Sequence, residues 1–117
     1  DIEIALQCMI DTGADAIVSV CRAESTHPAF MFRTNAEGRL EPFTSASPTG
    51  VRRQDIEPLF HLDGTLYAST VESLRKQRSF YRQDTLAYEV SKWKALEIDD
   101  IDDFEMVEAV VTYKGLA

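Results

Sequence analysis

The sequence predicts an α/β fold. Three observations carry that reading: a helix-period apolar pattern stopped by a glycine, a nearly continuous apolar run directly after it, and an amphipathic stripe near the C-terminus. Ile2, Leu6, Met9 and Ile10 recur at helical spacing, and Gly13 stands where a left-handed residue ends a helix. Ala16 to Cys21 then reads as a short strand covered on both faces. Helix, glycine and buried strand form half of a βαβ unit, whose first strand is expected before residue 1. The absence of an initial Met fits a segment of a longer protein. With its earlier partner strands missing, the 16–21 strand is expected to show an unpaired apolar edge and to cover it by self-association.

Phe30-Met31-Phe32-Arg33-Thr34 and Arg39-Leu40-Glu41-Pro42-Phe43 read as two strands around the turn Asn35-Ala36-Glu37-Gly38. Residues 44–50 are rich in Ser, Thr, Pro and Gly and read as a loop. Short strands are expected over 65–68, 86–90 and 95–98. Ser69-Thr70-Val71-Glu72 has the spacing of a capping box opening a helix through Lys76. The last helix is expected over 101–112, with Ile101, Phe104, Val107, Val110 and Val111 on one stripe.

Composition excludes several function classes. The chain has 117 residues, 44% hydrophobic and 27% charged, which is ordinary for one globular domain and far from disorder. Twelve Lys and Arg against 20 Asp and Glu leave a net charge of −8. That balance disfavours nucleic acid and anionic membranes as partners, because both attract a positive face. No apolar run is long enough to span a bilayer, and no secretory signal opens the chain, so a cytoplasmic location is expected. Cys8 and Cys21 lie in apolar segments without paired spacing and are expected to be reduced and buried.

The densest functional signal runs from Glu97 to Glu105. On a strand, Glu97 and Asp99 would share one face and could hold a hard divalent cation such as Mg²⁺. The same run suits helix capping, with Asp99 or Asp100 as the cap and Asp102, Asp103 and Glu105 in the first turn. The two readings are compatible. Arg52-Arg53-Gln54-Asp55 could clamp an acidic, hydroxyl-bearing ligand through guanidinium forks and an amide, or could be a solvated loop with a local ion pair. Arg75, Lys76, Arg78 and Arg82 read as an exposed, basic helix end. His27 and His61 lack the spacing of metal ligands. Trp93 and the aromatic residues near 30–32 and 80–81 read as core or interface. Neither a Gly-x-x-x-x-Gly-Lys loop nor a Gly-x-Gly-x-x-Gly turn is present.

Taken in order, Gly13-Ala14-Asp15-Ala16-Ile17-Val18-Ser19-Val20, His27-Pro28, Gly38-Arg39-Leu40-Glu41-Pro42, Arg52-Arg53-Gln54-Asp55, Asp63-Gly64-Thr65-Leu66-Tyr67 and Glu97-Ile98-Asp99 with Asp103-Phe104 form a pattern across nearly all of the chain. This pattern resembles the C-terminal half of the acylneuraminate cytidylyltransferases. The resemblance implies a nucleotidyltransferase-type, Rossmann-like mixed sheet with helices on both faces, the N-terminal half of the fold being missing. It implies a small β-rich subdomain at 27–62 that serves dimerisation and caps the sugar. The implied reaction is Mg²⁺-dependent transfer of CMP from CTP to an acidic, sialic-acid-like sugar, releasing pyrophosphate. The implied metal residues are Glu97 and Asp99, with Asp99 catalytic, and Arg52, Arg53, Gln54 and Asp55 are the implied sugar-site residues. Two positions depart from the family pattern: Glu97 stands where Asp is usual, and Asp63 where Asn is usual. The family's Gly-rich, basic loop for CTP phosphates would lie upstream, so a non-catalytic dimerisation or sugar-binding module is the alternative reading.

Overall fold

A computed structural model of the chain describes residues 1–44 and 52–116. The loop expected over 44–50 therefore lies, from residue 45 on, outside the described residues. The chain divides into two units, Asp1–Cys21 with Leu62–Ala117, and Arg22–His61.

The first unit is built around β1, Ala16–Arg22, whose residues from Ala16 to Cys21 are all buried. Helix α1, Ile2–Thr12, precedes it and ends at Gly13, which takes φ 66°, ψ 21°, and sends its N–H back to Ile10. That left-handed turn suits a residue without Cβ and delivers the chain into β1. The sheet is mixed, in the order β4-β1-β5, with β4 at Phe60–Ser69 and β5 at Leu86–Glu89. Strand β5 runs parallel to β1, pairing Ile17 with Leu86 and Val20 with Glu89. Strand β4 runs the other way: Thr70 N donates to Asp15 O, and Leu66 N donates to the Ser19 hydroxyl.

Strand β1 is thus central, which corrects the expectation of an unpaired apolar edge. Downstream segments supply both neighbours. Apolar surface is left instead on the helices. Only Ala5 of α1 is buried, and Ile2 and Ile10 are 63% and 72% exposed. Helix α3, Ile101–Tyr113, buries no residue, and Ile101 is 68% exposed. Among the described residues the core is Ala5, Ala16, Ile17, Val18, Val20, Cys21 and Val90, so the sheet rather than the helical stripes carries it.

Several local expectations change. Residues 95–98 form no strand. Val90 N still bonds Val20 O, but the turn at Ser91–Lys94 then carries the chain away from β1, and among the described residues no strand pairs with 95–98. Helix α2, Val71–Gln77, is capped by Thr70, whose hydroxyl accepts from Ser73 N, while Ser69 donates to Thr70 O. The expected Ser69–Glu72 capping box is therefore replaced by a single cap one residue later, at Thr70. Arg82 is not an exposed helix end, since its side chain is 12% exposed, donates to the Ser73 hydroxyl and lies 3.2 Å from Asp84. Cys8 is exposed, and only Cys21 is buried, because Cys8 falls on the outer side of α1. Trp93 is 37% exposed and carries Lys114 over its ring at 4.5 Å, which takes it out of the core.

The second unit contains the expected hairpin. Strands β2, Phe32–Thr34, and β3, Leu40–Pro42, pair antiparallel around a turn in which the Asn35 side chain accepts from Glu37 N and Arg39 N. Both strands are exposed. His27 caps a 3-10 turn, Pro28–Phe30, by accepting from Ala29 N at Nδ1, which leaves Nε2 to donate to Glu57 O at 3.1 Å. Its role is structural, tying two stretches of this unit together. No helix among the described residues is long and apolar enough to cross a membrane.

Candidate functional site

Ser19 is the one polar residue inside the apolar run of β1, and it is 1% exposed. Its hydroxyl donates to Asp63 Oδ1 and accepts from Leu66 N at 2.8 Å. Asp63 itself is 2% exposed, and its Oδ1 also accepts from Thr65 N at 3.1 Å. Gly64 sits between them at φ 72°, a bend in β4 that an L side chain resists. The other carboxylate oxygen, Asp63 Oδ2, is buried with no hydrogen-bond partner.

Glu97 comes beside Gly64 from the segment before α3. A Cβ built on Gly64 would run into Glu97 Oε1 and lie 3.0 Å from its Cδ, so the glycine leaves the room that this carboxylate uses. Lys94, ion-paired with Asp1, and Tyr88, bonded to Asp1 at 3.0 Å, anchor neighbouring stretches to the start of α1. Tyr67, further along β4, meets the Tyr81 ring edge-on at 6.0 Å and Phe80 at 5.7 Å. The Tyr67 hydroxyl is pushed above its ordinary pKa of 10.0, first by its hydrogen bond with Tyr81, then by burial and by the charges of Tyr81, Glu97 and Asp63. Glu97 and Asp63 therefore act on one hydroxyl. These are also the two positions at which the sequence departs from the family pattern.

Asp99 is exposed, and its backbone N–H donates to Asp103 Oδ2 at 3.1 Å. Asp100 caps α3, accepting from Asp103 N at 3.0 Å, and Asp103 accepts in return from Asp100 N. Capping thus occupies Asp100 and Asp103. It leaves the side chains of Glu97 and Asp99 uncommitted by any cap, but not on a shared strand face, since no strand forms there. No three His, Cys, Asp or Glu side chains converge among the described residues. A magnesium ion does not require three, because it takes one or two carboxylates and keeps its waters. The hard carboxylate oxygens of Glu97 and Asp99 are of the type such an ion takes.

The other expected residues lie in the second unit. Arg52 is exposed and precedes a 3-10 turn, Arg53–Asp55, in which Asp55 N bonds Arg52 O. Gln54 and Asp55 are exposed, and the Arg53 side chain lies outside the described residues. Gln54 lines a cavity of about 410 Å³ with Arg22, Glu24, His27, Phe30 and Glu57 among others. Two carboxylates against one guanidinium in that lining give it amide and hydroxyl chemistry rather than anion capture.

The chain is 31% identical over 103 residues, 88% of its length, to the N-acylneuraminate cytidylyltransferase of Streptococcus agalactiae serotype V (strain ATCC BAA-611 / 2603 V/R). It is 30% identical over the same length to the enzyme of that name from serotype III (strain NEM316). In sequence, this chain is a member of the acylneuraminate cytidylyltransferase family. It spans 24% of the length of these relatives. No family model matches it. Sequence reasoning toward this family singled out Glu97 and Asp99 as site residues, and did not single out Ser19 as the partner of Asp63, Gly64 as the neighbour of Glu97, or the Tyr67–Tyr81 pair. The available signals were a lone serine in a buried apolar run and an Asp-Gly pair inside a strand.

Proposed function

We propose that this chain is part of a cytidylyltransferase that joins CMP from CTP to an acidic, sialic-acid-like sugar and releases pyrophosphate. The observation that carries the reading is the relationship over 88% of the chain, together with the acidic Glu97–Asp99 segment beside Gly64. In the reaction a sugar hydroxyl attacks the α-phosphorus of CTP, the new P–O bond forms, and the bond to the pyrophosphate oxygen breaks. A bound Mg²⁺ would neutralise charge building on the phosphate oxygens. Glu97 and Asp99 would hold that ion, and Asp99 is the residue assigned to the reacting end. Arg52 and Arg53 would pair with the sugar carboxylate, and Gln54 would bond its hydroxyls. The segment 27–62 would serve dimerisation, bringing these groups to a neighbouring subunit's site.

The test is pyrophosphate release from CTP by the intact protein with eight- and nine-carbon acidic sugars. Turnover with one of them, lost by roughly a hundredfold or more in Asp99→Asn, supports the reading. No turnover with any acidic sugar contradicts it and leaves a binding module. Sedimentation of the intact protein as a monomer at high concentration contradicts the dimer.

A further inference from the structure

We propose that the cavity of the second unit binds a neutral sugar ring, one that carries hydroxyl and amide groups and no net charge. The inference does not rest on the cytidylyltransferase reading and shares only Gln54 with it.

Bonds between stretches far apart in sequence frame the cavity. Ala23 N donates to Leu59 O at 2.9 Å, and His27 Nε2 donates to Glu57 O at 3.1 Å. The His27 ring is buried, and its Nδ1 accepts from Ala29 N, while Phe30 N donates to His27 O at 2.8 Å. The stretches that carry Phe30 and Glu57 are thereby tied to each other, and a ligand meets walls that need little ordering. The volume, about 410 Å³, falls within the span of small-molecule sites. The lining divides by chemistry. Phe30, Ile56 and Pro58 offer apolar surface, whereas Arg22, Glu24, Gln54 and Glu57 carry both donors and acceptors. A sugar ring divides in the same way, with C–H faces and hydroxyl edges. Each hydroxyl can donate to a carboxylate and accept from a guanidinium or an amide. Charge then narrows the class. Two carboxylates stand against one guanidinium, and that guanidinium already lies over the Phe60 ring at 5.4 Å. A phosphate or carboxylate on the ligand would meet net repulsion in a chain whose own charge is −8. An ammonium would lose its hydration against the apolar wall and leave the guanidinium and the amide without an acceptor.

The intact protein is titrated with N-acetylglucosamine, a neutral ring bearing hydroxyls and one amide, and backbone amide shifts are read by NMR. Saturable shifts are expected at Ala23, Phe30, Ile56 and Glu57, with a Kd of about 1 mM. N-acetylglucosamine 6-phosphate and glucosamine, the charged counterparts of the same ring, should each bind at least about fivefold more weakly. Glu57→Ala removes a carboxylate but keeps the backbone oxygen that His27 uses, and should weaken binding about five- to tenfold. Phe30→Leu keeps an apolar wall without the aromatic face and should weaken it about two- to fivefold, which serves if the first variant does not fold. Absence of shifts at these residues, equal or tighter binding of either charged ring, or unchanged affinity in a folded variant overturns the inference. Each of these results leaves pyrophosphate release from CTP to be judged on its own assay.

Discussion

Replacing Ser19 with alanine tests how the strand and the acidic site are joined. The hydroxyl serves two buried partners, donating to Asp63 Oδ1 and accepting from Leu66 N. Ser19→Ala removes both bonds and leaves both partners buried. Losing a bond to a charged group costs about 1.5–3 kcal/mol, and an orphaned buried N–H costs about 1–3 kcal/mol. The vacated volume is smaller than a water molecule needs, so solvent does not replace the hydroxyl. The expected loss is roughly 3–5 kcal/mol, a large part of the 5–15 kcal/mol typical of a whole domain. Urea denaturation measures it, with Asp63→Ala and the double variant completing a cycle. The double variant should lose at least about 1 kcal/mol less than the sum of the singles. A loss below about 1 kcal/mol for Ser19→Ala, or strict additivity, refutes the reasoning.

The same geometry fixes other outcomes. Gly64→Ala should cost about 1–2 kcal/mol in urea denaturation, because φ 72° strains any L residue, and Glu97→Ala should not restore it. Full restoration would place the cost in the Glu97 contact instead. Thr70→Ala should destabilise by about 1 kcal/mol and Ser69→Ala by less than about 0.5 kcal/mol, which distinguishes the observed cap from the one the Ser-x-x-Glu spacing suggests. Tyr67 should ionise later than an ordinary tyrosine in a phenolate absorbance titration, and Tyr81→Phe should bring it down. A raised folded-state value means that the linked stability is present below the unfolded-state pKa and falls as pH rises through the folded one. An unshifted tyrosine titration curve in Tyr81→Phe contradicts this coupling.

Local signals made much of both units legible. The helix stop at Gly13, the buried run at 16–21, the hairpin turn at Asn35 to Gly38 and the start of α3 at Asp100 all depend on residues close in sequence. Long-range pairing was not legible. Whether 16–21 is an edge depends on Leu86 and Leu66, far downstream, and a strand at 95–98 fails for want of a neighbour rather than for want of apolar residues. The acidic run shows the same division. Its capping half is local and readable, since Asp100 and Asp103 satisfy each other. The placing of Glu97 is not local, since the fold brings it beside Gly64, far away in sequence.

The most direct test of the account is the position of the cation. In crystals of the intact protein grown with Mn²⁺ and CTP, anomalous density should lie about 2.1 Å from a carboxylate oxygen of Glu97. Cation-saturated, catalytically competent crystals with the anomalous peak on other residues, and none at Glu97, would contradict it.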